Sequence, residues 1–269
     1  MIEEIQNLFV SINAIDPILF YAVGFSAVLV TAISKAGFGG AIPIGVPLLL
    51  LVTTPRVALG ITLPILLVID VWVVVSYRKD ISLRLLGIIS LFGLLGHFIA
   101  WNVFDYISNQ ILTIFICGIS FLTVITFFRN FYFRTKSGSE KIMSLRSPSV
   151  WPRSFFWGTL SGISSFISTT GGIPLNIFLL SFKLDRRLHL GTAAAFFFLL
   201  NLTKIPMYAS LGVISPEILK VSVLLMPAIP VGLILGLVIN SLLDDKQFHI
   251  LMHILLGITG CKLLFDLLT

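Results

Sequence analysis

The sequence predicts an all-α polytopic membrane protein, an inverted repeat of two five-segment halves containing broken or re-entrant helical hairpins. Three observations carry this. Of 269 residues, 57% are hydrophobic and 11% charged, 23 are phenylalanine, and the mean hydropathy is +1.05. Soluble domains are roughly 25% charged, and a soluble chain of this size needs polar surface to cover its core. The apolar residues gather into ten stretches, and the chain matches itself when slid by 131 residues.

The stretches fall at about 17–33, 39–52, 58–77, 85–103 and 110–128, and again at 154–168, 171–182, 189–210, 218–239 and 249–268. A full helical span needs roughly 20 residues. Six stretches approach that length, and the first two of each half are shorter. The organisation is therefore a first membrane repeat at 1–128, a basic cytoplasmic loop at 129–153, and a second, inverted repeat at 154–269.

The self-match is ungapped. Phe25 meets Phe156, Ser34 meets Ser165, Gly40 meets Gly171, Pro43 meets Pro174, Arg56 meets Arg187, Gly60 meets Gly191 and Tyr77 meets Tyr208. Apolar composition produces chance Leu and Phe matches. It does not readily align glycines, a proline, an arginine and a tyrosine in one register. An odd number of segments per half makes the second copy enter from the opposite side, as in many secondary transporters.

Charge sets the expected orientation. Glu3, Glu4 and Asp16 precede the first stretch with nothing basic, so no cleaved signal peptide is expected. Arg78, Lys79 and Arg84 follow the third stretch, and Arg129, Arg134, Lys136, Lys141, Arg146 and Arg153 fill the central loop. Basic residues stay inside, which puts both termini outside a cell inner (plasma) membrane. Arg56 falls outside and is the exception. The net charge of +6 is thus accounted for by cytoplasmic loops, with no nucleic-acid partner. Cys117 and Cys261 lie in apolar stretches and read as free thiols. His249 and His253 lack companion ligands, so neither metal nor cofactor is expected. Trp101, Trp151, Trp157, Tyr77 and Tyr208 read as interface anchors.

The stretch "SKAGFGGAIPIGVPLL", 34–49, interrupts the first half with a lysine and glycines. Its counterpart in the second half is "STTGG", 168–172. Residues 154–182 number 29, roughly 43 Å of helix, so an out-and-back pair would stop inside a bilayer core roughly 30 Å thick. A chain broken at that depth must direct its free N–H and C=O groups to protein, water or a ligand. The expected picture is two hairpins from opposite faces with tips meeting near the middle. Gly39, Gly40, Gly171 and Gly172 would let a small anion approach helix starts. Ser34, Ser168, Thr169 and Thr170 would donate hydroxyls. Lys35 either neutralises the anion or snorkels to the interface. Asp70 and Asn201 are repeat equivalents. Asp70 is a candidate for proton or cation coupling or a structural partner of a lysine, and Lys204 reaches either substrate or interface. His97 reads as a packed histidine.

These residues resemble the sulfite exporter TauE/SafE family, also called the sulfonate uptake permease family. The resemblance rests on a glycine-rich stretch repeated in each half before a proline and aliphatic run, "SKAGFGGAIPIGVPLL" and "STTGGIPLNIFLLS". The tract "HLGTAAAFFFLLNLTKIPMYASLG", 189–212, adds to it. The resemblance implies a polytopic carrier of sulfite, sulfonates or other small organosulfur anions, with Gly37, Gly39, Gly40, Gly171 and Gly172 at the site. Thr169 and Thr170 stand where many members carry glycine or a small apolar residue. The function expected is a secondary transporter of a small anion. An anion channel is the first alternative; an intramembrane enzyme or assembly protein is the second. No GxxxxGK[ST], HExxH or GxSxG run is present, so neither ATP drive nor catalysis is expected. The partners are the anion and the bilayer, and a homo-oligomer is compatible with the sequence.

Overall fold

The computed structural model describes residues 16–38, 44–132, 147–182, 184–242 and 245–268. Among them are helices and no strand: α1 (Pro17–Phe38), α2 (Gly45–Leu49), α3 (Pro55–Ser76), α4 (Leu83–Phe104), α5 (Asn109–Tyr132), α6 (Val150–Ser168), α7 (Gly172–Leu180), α8 (Arg186–Ser210), α9 (Pro216–Leu225), α10 (Ala228–Leu242) and α11 (Asp245–Leu268). Five helices are long and apolar enough to cross a membrane, and α9 with α10, bent by 43°, makes a sixth. Their outer faces are apolar: Leu91 and Phe98 on α4 and Ile234 on α10 are all more than half exposed. That suits lipid and not water.

Two segments differ from the sequence reading. The first helix is not cut short near residue 33; it runs 22 residues, through Lys35, to Phe38. Lys35 finds a carboxylate partner, so its charge does not force an end, and one helical glycine costs only about 1 kcal/mol. The stretch at 218–239 is not one straight helix. It breaks at Met226 and Pro227, where Pro230 has no N–H to return to the Met226 carbonyl. At the edges of the central loop, α5 continues through Arg129 to Tyr132 and α6 begins at Val150.

Helix directions follow from close contacts. A Cβ on Gly60 would lie 2.2 Å from the Val213 carbonyl, and one on its repeat equivalent, Gly191, 2.0 Å from the Asp80 carbonyl. The start of α3 therefore abuts the end of α8, and the start of α8 the end of α3. The two repeat-equivalent helices cross antiparallel. The first and fourth segments are exchanged between halves. Gly232 and Gly236 of α10 press on Leu29, Ala32, Ile33 and Ala36 of α1. Gly93 and Gly96 of α4 press on Gly162 and Ile163 of α6. Both pairs run parallel, and small residues let their backbones approach. The fifth segments, α5 and α11, pack on each other, with the Phe127 and His253 rings stacked 3.8 Å apart.

Tyr208 is not an interface anchor. It is 1% exposed, packs on Phe104 and Phe166, and donates its hydroxyl to the Phe166 carbonyl. Arg56, the charge that broke the orientation pattern, holds the end of α4. Its guanidinium donates to the Phe104 and Ile107 carbonyls at 3.2 and 3.3 Å and lies 3.6 Å from Asp105. Its repeat equivalent, Arg187, pairs with Asp80 at 3.1 Å.

Candidate functional site

Two helix pairs, α1 with α2 and α6 with α7, pack beside the crossing of α3 and α8, and the tip of the second is described in full. In the second half α6 ends at Ser168, and Thr169 turns the chain with φ +59°, a left-handed conformation that a β-branched residue rarely adopts. Two residues later the chain lies back along α6. Ser161 Oγ donates to the Gly171 carbonyl at 2.6 Å, and a Cβ on Gly171 would sit 2.5 Å from the Ser161 carbonyl. Only glycine allows that return. Ser168 Oγ donates to the Ser164 carbonyl at 2.9 Å and lies 2.6 Å from Thr170 Oγ1. Ser168, Thr170 and Gly171 thus build the turn itself, while Thr169 and Gly172 line a cavity beyond it.

In the first half α1 ends at Phe38, and the described residues resume at Ile44. Gly39 and Gly40 are outside the described residues, and Gly37 is in the last turn of α1. By Gly45 the chain again runs beside α1, with room for no Cβ against Thr31 Oγ1, 2.4 Å away.

Between the α1–α2 and α6–α7 pairs lies a cavity of about 50 Å³. Six expected site residues line it: Ser34, Lys35, Thr169, Gly172, Asn201 and Lys204. Sequence reasoning missed Thr31, Thr62, Leu66, Ser165, Phe197 and the backbone at Ile44–Val46. A signal for several was present. Ser165 is the repeat equivalent of Ser34. Leu66 and Phe197 are equivalents too, one helical turn before Asp70 and Asn201.

The charges are few and buried. Lys35 Nζ forms an ion pair with Asp70, whose other carboxylate oxygen accepts from Asn201 Nδ2 at 2.6 Å. Asp70 and Asn201 are one repeat apart and touch each other. Like positions of two related helices meet only where those helices cross, so this bond marks the crossing point. Lys204, 1% exposed, donates from Nζ to the Ser165 carbonyl at 2.7 Å. No carboxylate contacts it among the described residues. With both amines protonated, two cations face one anion.

Ser34 is 1% exposed and its hydroxyl has no partner among the described residues. Other hydroxyls on α1 bond back into the helix, Ser26 to the Ala22 carbonyl and Thr31 to the Ala27 carbonyl, both at 2.7 Å. The Ser34 hydroxyl is left for whatever fills the cavity, because an unpaired buried donor is costly. His97 packs under the site, its Nδ1 3.1 Å from Thr203 Oγ1.

Apolar helices sufficient for several crossings define an all-α polytopic membrane protein. The model of the sulfite exporter TauE/SafE family matches residues 20–263. The chain belongs to that family, one of membrane transporters. Neither the curated proteins nor the solved structures compared with it give a match.

Proposed function

We propose that the protein is a secondary carrier of a small anion, sulfite, a sulfonate or another organosulfur anion, held in the cavity between the two hairpins. The observation that supports this most is the cavity itself. Residues of both predicted halves line it, two of them lysines, and the buried Ser34 hydroxyl at its wall lacks a partner among the described residues. Roughly 10–15 Å³ of such volume holds one water, so about 50 Å³ matches the few heavy atoms of sulfite or methanesulfonate. Larger sulfonates need the tips to part. Lys204 and Lys35 supply charge. Ser34, Thr169 and Asn201 supply hydrogen bonds, and Gly172 brings the start of α7 to the cavity.

The antiparallel crossing of α3 and α8 supports an inverted repeat, with the hairpins entering from opposite leaflets. Alternating access would then exchange the conformations of 1–128 and 154–269 around a fixed site. Basic residues at 78–84 and in the 129–153 loop support a topology with those loops in the cytoplasm and both termini outside the plasma membrane. Asp70 is the proposed coupling residue, since protonating its carboxylate would release Lys35. The test is counterflow. Proteoliposomes preloaded with unlabelled sulfite should accumulate labelled sulfite transiently, and Lys204→Met should abolish the overshoot. An overshoot unchanged in that variant, or none with any small sulfur anion, would refute the reading.

A further inference from the structure

We infer that Asp70 sets the charge of the anion the cavity accepts, and that the site takes a monoanion, hydrogensulfite or a sulfonate, and discriminates against a dianion. This rests on the carrier reading above and adds the substrate's charge class to it. Asp70 does not line the cavity; it stands behind the wall, ion-paired to Lys35 and bonded to Asn201 at 2.6 Å. It is the one buried carboxylate among the described residues. Lys204 is buried as completely, and its amine donates to a neutral carbonyl, that of Ser165. Lys35 is therefore neutralised in place and Lys204 is not. With Lys204 protonated, the unoccupied site carries one surplus positive charge.

A buried unbalanced charge is strongly unfavourable, so one negative charge completes the site. A second would be uncompensated in a low-dielectric enclosure and meets the Asp70 carboxylate just behind the wall. Size alone cannot make this distinction, because methanesulfonate and sulfate have the same number of heavy atoms. The neighbours agree with the assignment. Thr31, Thr62, Leu66 and Phe197 bring no charge to the cavity, and Arg56 and Arg187 are held at helix ends by Asp105 and Asp80. The other ionisable side chain near Lys204 is His97, which bonds Thr203. Asn201 occupies the position equivalent to Asp70. The repeat thus places one acid and one amide at the crossing, where two acids would cancel the surplus.

The test measures binding of methanesulfonate and sulfate to purified full-length protein by titration calorimetry at one pH. The wild type should bind methanesulfonate at least tenfold more tightly than sulfate. Asp70→Asn, with two surplus charges, should shift that ratio at least tenfold towards sulfate. Lys35→Met, with none, should weaken both anions at least tenfold. Lys35→Met/Asp70→Asn, again with one, should recover methanesulfonate binding and the wild-type ratio. That recovery tests the inference even if Asp70→Asn does not fold. A purely structural role for Asp70 would lower all affinities together without reordering them. Wild-type binding with a ratio unmoved by Asp70→Asn, or no recovery in the double variant, overturns the charge assignment alone. No binding of either anion to the wild type overturns the carrier reading as well.

Discussion

Replacing Lys35 with methionine strands the Asp70 carboxylate, and the structure sets the size of the effect. The Asp70 side chain is 2% exposed and that of Lys35 16%, so water does little to solvate the survivor. Breaking a buried ion pair by removing one partner costs about 3–5 kcal/mol. Removing both charges in Lys35→Met/Asp70→Asn leaves no buried ion from the pair. The amide oxygen introduced by Asp70→Asn can still accept from Asn201, and the remaining loss is about 1–2 kcal/mol of hydrogen bonding. The double variant should therefore be more stable than Lys35→Met by about 1–4 kcal/mol, a strongly non-additive cycle. Reversible unfolding in mixed micelles, followed by the fluorescence of the four tryptophans, measures it. Additive losses, or a Lys35→Met cost below about 1 kcal/mol, would refute the claim that the pair is buried and mutually dependent.

Other outcomes follow from single contacts. Thr169→Gly relieves a left-handed β-branched residue and should raise stability by about 1 kcal/mol, seen as a higher thermal midpoint. Gly162→Val would put a Cβ 2.1 Å from the Gly93 carbonyl and should cost about 1–3 kcal/mol. Gly87, with nothing within 4 Å, should accept valine with little change in the same melt. Arg56→Ala removes the charged donors at the end of α4 and should cost about 1–3 kcal/mol. In a chain with Cys117 and Cys261 replaced by alanine, single cysteines at Lys79 and Gly212 should react with an impermeant maleimide from opposite sides of the membrane. Same-side reaction would refute the inverted topology.

Much of this arrangement was legible in the sequence because the repeat is. The shift of 131 residues that aligned Gly60 with Gly191 is also the separation of Asp70 and Asn201, which bond to each other. Polar groups in an apolar chain stand out, so Lys35, Lys204 and Ser34, which line the cavity, were singled out by sequence. What they touch was not readable. Lys35 could have snorkelled; its partner is 35 residues away, on a helix whose packing no local pattern specifies. The hydroxyls at 168 and 170 looked like ligands by composition, yet a tight turn uses them first, because its own carbonyls need donors. Leu66 and Phe197 looked like core residues, and only the crossing of α3 and α8 turns them to the cavity. The exchange of fourth helices between halves is tertiary and left only the glycines of α4 and α10 as a trace.

The most direct test of the shared cavity is a titration of sulfite into the purified protein. The account predicts one site per chain, weakened at least a hundredfold by Lys204→Met and retained in Arg56→Ala, whose guanidinium serves a helix end. Unaltered sulfite binding in Lys204→Met would place the anion elsewhere and contradict the account.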